Sequence, residues 1–139
     1  PVGERSSGTG RVVLTDPGYK DRANESVLLI PQIEDMEGVE NAVAIMALDG
    51  VDVAFIGPND LGLSMGLTAE QMWKEQSHLD AIAAILEAAR KAGKPAGVPV
   101  ANGEAARRVI EQGFQFIDVG SDLRQLQTAA AERLKIARG

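Results

Sequence analysis

Two carboxylates, Glu34 and Asp60, follow successive apolar runs of the sequence and together could hold a divalent metal ion. The runs at 26–34 and 51–57 have the length and the Val, Ile and Phe content of β-strands. If these strands are neighbours, the two side chains lie about 5 Å apart, where ionised carboxylates repel unless a cation separates them. Ligation by oxygen alone favours Mg²⁺ or Mn²⁺. The ordinary alternative is that Glu34 forms a salt bridge and Asp60 caps a helix.

Two turns could bind an anion. Gly57-Pro58-Asn59-Asp60 combines a residue that permits close approach with one that fixes the backbone, so the amides of Asn59 and Asp60 could face a carboxylate or a phosphate. A plain connecting turn is the alternative for this segment. Gly120-Ser121-Asp122 could bind an anion at a helix N-terminus, although a helix cap is the simpler interpretation of Asp122.

Strand-like and helix-like segments alternate along the chain, which predicts an α/β fold with parallel strands. The four predicted strands are 26–34, 51–57, 95–100 and 114–120. The predicted helices are 17–24, 37–48, 69–92, 103–112 and 122–137. Candidate caps are Thr68 and Gly93 for the longest helix and Ser121 for the last one.

Periodicity leaves two closures open, an open doubly wound sheet and a barrel. Four β/α units make half of an eight-unit barrel, and a complete barrel needs about 250 residues. The chain has 139 residues and begins at Pro1 rather than Met, so we interpret its start as a processed end, an artificial boundary or the point at which an N-terminal portion is missing.

Composition excludes several classes of function. The net charge of −6 and the low aromatic content argue against nucleic-acid binding, and the absence of cysteine excludes thiolate chemistry. No apolar run has the length of a membrane span, so we expect a cytoplasmic protein. His78 is expected on the surface or in helix packing. Lys94 precedes a strand, at the end opposite to the carboxylates, and is a poor Schiff-base candidate.

The motifs resemble those of the HpcH/HpaI aldolases, which are metal-dependent class II pyruvate aldolases. The resemblance lies in QIE, GVD, FIGPNDL and SMG, in that order within residues 28–66. It continues in AGKPAGVPVAN at 92–102 and in ARRVIEQGFQFIDVGSDL at 106–123. The opening PVGERSSG resembles the loop after the fourth barrel strand of the family.

The resemblance implies a (β/α)₈ TIM barrel of the phosphoenolpyruvate/pyruvate type, of which this chain carries about strands five to eight. The implied single domain divides into a loop and short helix at 1–25, four β/α units at 26–121, and a C-terminal helix at 122–139 that packs on a neighbouring subunit of a hexameric homo-oligomer.

The resemblance also implies a site. Glu34 and Asp60 match the family's ligands for Mg²⁺ or Mn²⁺, with Co²⁺ as a further candidate, and Gln32 matches a residue close to the substrate. The Asn59 and Asp60 amides match the donors that hold the carboxylate of pyruvate. The implied reaction is aldol cleavage of a 4-hydroxy-2-oxo acid to pyruvate and an aldehyde, or its reverse.

Some positions of the family pattern are absent or altered. The family's basic histidine, its supporting aspartate and a substrate-binding arginine belong to the N-terminal half, so we expect the isolated chain to be inactive. Pro99 replaces a larger apolar residue near the aldehyde entrance, and Ser6 replaces a common glycine. Two alternatives stay open: an acyl-CoA lyase resembling the citrate lyase β subunit, and a non-catalytic half barrel that binds a metal and a 2-oxo acid.

Overall fold

Four short parallel strands form a single sheet in the computed structural model, which describes residues 10–139. The opening loop expected at residues 1–8 lies outside the described residues. The strands are β1 (Gln32–Ile33), β2 (Ala54–Ile56), β3 (Ala96–Val100) and β4 (Phe116–Val119). The helices are α1 (Arg11–Thr15), α2 (Tyr19–Ser26), α3 (Met36–Met46), α4 (Pro58–Ser64), α5 (Gln76–Lys91), α6 (Gly103–Gln112) and α7 (Asp122–Arg138).

The sheet has the sequential order β1-β2-β3-β4, and one of its faces is covered by helices. Ile33, Ile56 and Val98 lie on the covered face and are almost inaccessible to solvent. An open doubly wound sheet has helices on both faces and a reversal of strand order. Sequential order with one covered face is the arrangement of barrel strands, so the structure supports the predicted partial TIM barrel.

The opposite face of the sheet carries two aromatic rings. Phe55 and Phe116 contact each other edge to face, with ring centroids 6.0 Å apart. Gly97 lies between them in the register, and a Cβ atom on it would come within 2.6 Å of the Phe116 carbonyl oxygen. A glycine on β3 therefore allows the rings of the flanking strands to meet. Phe116 is nevertheless 41% exposed, so this face is only partly filled.

Side-chain caps define the start of three helices. The Asp35, Asn102 and Ser121 side chains accept hydrogen bonds from the backbone of α3, α6 and α7 respectively. These bonds satisfy amides that have no partner within the first helical turn. The predicted bounds of α6 and the predicted cap at Ser121 are confirmed.

The predicted long helix at 69–92 is wrong at its start. Residues 69–74 form turns, and α5 begins only at Gln76. Thr68 is therefore not the N-cap of α5. Its backbone N–H donates a hydrogen bond to the Gln71 side chain instead. At the other end, Gly93 follows the helix with φ of 68°, which confirms the predicted glycine there.

The predicted first strand at 26–34 is also mostly wrong. Ser26 ends α2, and only Gln32–Ile33 forms a strand. Before this strand, Leu29 is hydrogen-bonded to Asp52. The Asp52 backbone N–H donates to the Leu29 carbonyl at 2.9 Å, and the Asp52 carboxylate accepts from the Leu29 N–H at 2.7 Å. β1 is an edge strand with β2 as its one neighbour within residues 10–139, so the ladder stays short.

The last helix, α7, contains no buried residue. Its apolar side chains are exposed, up to 81% for Ile136. Across the part of the chain that the structure describes, no helix has the length and apolar character needed to cross a membrane.

Candidate functional site

The two predicted metal ligands follow strands that are direct neighbours in the sheet. β1 and β2 pair in parallel, with Ile33 opposite Ile56, and the Gly57 N–H donates to the Ile33 carbonyl at 3.0 Å. This register places Glu34 beside Gly57 at the carboxyl end of both strands. The two strands are therefore neighbours, which is the condition that a shared metal site requires.

The Gln32 and Glu34 side chains lie directly against the backbone of Gly57. A Cβ atom there would come within 2.7 Å of Gln32 Nε2 and 2.9 Å of Glu34 Oε2. The Gln32 side-chain amide also donates a short hydrogen bond to Glu34 Oε2. Gln32 thus holds the Glu34 carboxylate in place, and both side chains occupy space that any other residue at position 57 would fill.

Asp60 lies in the first turn of α4, three residues beyond Gly57. The N-cap of this helix is Gly57, which makes no side-chain cap bond, so Asp60 does not cap the helix. The first backbone bond of the turn runs from Leu61 N–H to the Gly57 carbonyl at 2.9 Å. Because Pro58 has no N–H, the amides left over at this end belong to Asn59 and Asp60.

The donor set at this edge fits a hard divalent ion. Glu34 forms none of the ion pairs found among residues 10–139, so its exposed carboxylate is not held by a basic side chain. No cluster of three or more His, Cys, Asp or Glu residues that could hold a metal occurs within the same range. A metal here would thus have two carboxylate ligands from the described residues, with other oxygen ligands completing the shell.

His78 is a polar residue whose location differs in part from the one predicted from the sequence. Its side chain is fully buried, so the expected surface position is wrong and the expected helix packing is right. Its Nε2 lies 2.8 Å from the Pro58 carbonyl oxygen and its Nδ1 lies 2.7 Å from that of Met72. The buried stripe of α5 passes through Ala81 and Ile85. His78 lies one helical turn before Ala81 and so belongs to the same buried stripe. That helical spacing could have indicated its burial from the sequence.

Asp118 is a second residue that sequence reasoning missed. It pairs with Pro99 in the register of β3 and β4. Its neighbour Ile117 packs against the core, so by strand alternation Asp118 points to the opposite face, as Phe116 does. An exposed carboxylate therefore lies on the face of the sheet that carries Phe55, close to the site edge.

The remaining candidates have structural roles. Ser121 caps α7, which confirms the cap candidate there. Asp122 is the first residue of the helix rather than its cap, and its carboxylate accepts from the Leu123 N–H at 2.7 Å. The Lys94 ammonium donates to the Leu48 carbonyl at 2.6 Å. Lys94 lies just before β3, at the end opposite to Glu34, as expected.

Comparison with known proteins gives a consistent result. A sequence model of the HpcH/HpaI aldolase/citrate lyase family matches residues 2–129. The chain is 37% identical over 139 residues to a hydroxypyruvate/pyruvate aldolase of Rhizorhabdus wittichii, covering 99% of this chain and 55% of that protein. It is 38% identical over 120 residues to a 5-keto-4-deoxy-D-glucarate aldolase of Klebsiella pneumoniae, covering 86% of this chain and 46% of that protein.

A solved structure agrees with these sequence matches. An HpcH/HpaI aldolase/citrate lyase family protein from Burkholderia cenocepacia superposes with a TM-score of 0.84 at 30% identity, covering 98% of this chain and 53% of that one. The chain thus spans about half the length of the proteins it matches.

Replacing Gly57 by alanine should weaken Mn²⁺ binding by at least about tenfold, because the new methyl group displaces the Gln32 and Glu34 side chains. Calorimetric titration with Mn²⁺ measures the effect. Gly50→Ala is the matched control, since a Cβ atom at Gly50 meets nothing within 4 Å. Equal Mn²⁺ affinity in a folded Gly57→Ala protein would show that these side chains do not form the metal site.

Proposed function

The chain belongs to the HpcH/HpaI aldolase/citrate lyase family, and from that premise we propose that it carries the metal- and pyruvate-binding part of a class II aldolase. The proposed reaction is reversible cleavage of a 4-hydroxy-2-oxo acid to pyruvate and an aldehyde. The observation that carries the proposal is the meeting of Gln32, Glu34 and the Gly57–Asp60 turn at one edge of the sheet.

Each of these groups has a separate task in the proposal. Glu34 and Asp60 would hold Mg²⁺ or Mn²⁺, or Co²⁺ in their place. When bound, such an ion supplies Lewis-acid stabilisation of the negative charge that develops on a 2-oxo acid. Gln32 keeps the Glu34 carboxylate oriented through its hydrogen bond. The Asn59 and Asp60 amides bind the carboxylate of pyruvate, which fixes the position of the keto carbon relative to the site.

Proton transfer needs a group from outside residues 10–139 in this proposal. The chain has one histidine, His78, and both of its ring nitrogens face backbone carbonyl oxygens in the protein interior. A general base must reach the substrate proton directly or through one water molecule, so a fully buried ring is unsuited to the task. The family resemblance assigns the base to the N-terminal half of the barrel.

Self-association is part of the proposal. The exposed apolar side chains of α7 lie at Leu123, Leu126 and Leu134, spacings of three and eight residues that keep them on one side of the helix. An apolar stripe of this kind is suited to packing against a second copy of the protein. We therefore propose a homo-oligomer in which α7 contributes to the interface.

The Glu34→Gln and Asp60→Asn variants should each lose measurable Mn²⁺ binding while remaining folded, because each replaces a charged oxygen ligand with a neutral amide of the same size. Calorimetric titration gives the affinity, and circular dichroism checks the fold. Glu40→Gln and Asp49→Asn are matched controls, since both residues are exposed and lie away from the site edge. The metal site is refuted if both site variants bind Mn²⁺ like the controls.

The full-length protein should release pyruvate from a 4-hydroxy-2-oxo acid in the presence of Mn²⁺ or Mg²⁺. Residues 1–139 alone should show little or no turnover, because the base is absent. A coupled lactate dehydrogenase assay follows pyruvate release in both proteins. Cleavage of an acyl-CoA ester instead would favour the citrate-lyase-like alternative. Metal binding without turnover of either substrate class would favour a non-catalytic binding role.

Asp118 bears on which aldehyde the site accepts. A carboxylate on the open face of the sheet repels a substrate that brings a second negative charge to the same place. Pro99, opposite Asp118, stands where the family resemblance places the aldehyde entrance. We therefore propose that the site prefers neutral aldehydes to those that end in a carboxylate.

The Asp118→Asn variant of the full-length protein should gain about fivefold in kcat/KM for an aldehyde that bears a carboxylate, relative to a neutral aldehyde. The factor corresponds to one charge repulsion of about 1 kcal/mol in a hydrated site. Glycolaldehyde and succinic semialdehyde, each condensed with pyruvate, form a suitable pair. Glu104→Gln, an exposed carboxylate in α6, is the control. An unchanged ratio of the two kcat/KM values would exclude Asp118 from aldehyde selection.

A further inference from the structure

His78 is the one buried polar or charged side chain within residues 10–139. It lies in the first turn of α5, where its ring contacts Trp73 edge to face at a centroid distance of 5.8 Å. A polar ring in this position costs free energy unless both nitrogens find partners. Both do, and the two partners belong to different segments, the Gly57–Asp60 turn and the turn that precedes α5.

The chemistry of the partners restricts the ring. A carbonyl oxygen only accepts hydrogen bonds, so a ring nitrogen that bonds to one must carry a proton. The 2.8 Å contact with the Pro58 carbonyl therefore requires an N–H at Nε2. Nδ1 lies 2.7 Å from the Met72 carbonyl oxygen, so the ring is placed between two backbone acceptors.

The Pro58 carbonyl belongs to the same peptide unit as the Asn59 N–H. The peptide bonds of the described residues are trans, and in a trans peptide the C=O and N–H point in opposite directions. The Pro58 carbonyl oxygen lies against the buried His78 ring, so the Asn59 N–H points away from that ring. A hydrogen bond accepted by the carbonyl also polarises the peptide unit and strengthens its N–H as a donor.

The second contact of His78 is with Met72, which packs against the helix that follows the Gly57–Asp60 turn. Met72 is buried, and its side chain lies against Gly62 of α4, where a Cβ atom would come within 2.4 Å of Met72 Cγ. The Met72 backbone is in turn bonded to the His78 ring. Residues 72 and 78 thus hold α4 from one side, through packing and through hydrogen bonding.

We propose that His78 is a positioning residue, which orients and polarises the Pro58–Asn59 peptide so that its N–H binds the carboxylate of a 2-oxo acid. The inference rests on the proposed function, because it needs that carboxylate to bind at the Gly57–Asp60 turn. Glu34 and Asp60 bind metal through their side chains, so the effect of His78 falls on the organic ligand more than on the ion.

The test compares Mn²⁺ and pyruvate binding in the full-length protein. His78→Leu should weaken binding of pyruvate to the Mn²⁺-loaded protein by about tenfold, because the Pro58 carbonyl loses its hydrogen bond from the ring. The affinity for Mn²⁺ itself should change by less than about threefold. His78→Gln should recover most of the pyruvate affinity, because its side-chain amide can donate to the Pro58 carbonyl. Ile85→Ala, a buried change elsewhere in α5, controls for loss of stability alone and should leave pyruvate affinity unchanged.

A spectroscopic measurement on the unmutated protein keeps the inference testable if His78→Leu does not fold. The ¹⁵N resonance of His78 Nε2, assigned by its absence from the His78→Gln protein, should have the shift of a protonated nitrogen. An unprotonated Nε2 would overturn the inference. So would pyruvate affinity in a folded His78→Leu protein equal to that of the unmutated protein. If the unmutated protein binds Mn²⁺ but no pyruvate, the proposed function fails rather than the role of His78.

Discussion

The backbone hydrogen bond from Gly57 N–H to the Ile33 carbonyl sets the register between β1 and β2, and the candidate site depends on that register. With Ile33 opposite Ile56, both isoleucines enter the core, and Glu34 comes to lie beside a glycine. A slip of one residue would turn Glu34 toward the helices and bury its charge. The apolar pattern that builds the core therefore also holds the acidic side chains at the open edge of the sheet.

Much of the fold follows from the sequence because hydrophobic pattern and cap chemistry act locally. Strands β2 to β4, helix α6 and the Ser121 cap could be predicted because each depends on a few adjacent residues. The start of α5 could not, since the preceding residues form turns in which Met72 packs on Gly62, a contact that no local pattern indicates. The length of β1 is likewise decided by its neighbours in the sheet, because an edge strand continues only as far as its partner does.

For the candidate site, sequence reasoning identified the residue types but missed the contacts. Gln32, Glu34 and Asp60 were picked out by their places after strands and by family resemblance. That Gln32 bonds to Glu34 depends on the empty space above Gly57, which appears only when two strands are aligned. Asp118 was missed for a related reason. Its face is known only once Ile117 is seen to pack against the core.

Polar groups are exposed to solvent on one side of the Gly57–Asp60 turn and buried on the other. On the solvent side, Glu34 and Asp60 remain exposed and retain their capacity to bind a cation. On the interior side, Pro58 is buried, and its carbonyl oxygen lies 2.8 Å from the His78 ring. A leucine at position 78 would fill the space but would remove the ring contacts of the Pro58 and Met72 carbonyls. The free-energy cost of burying an imidazole is thus offset by its hydrogen bonds to the backbone. An apolar side chain could not make these bonds, which help to orient the turn.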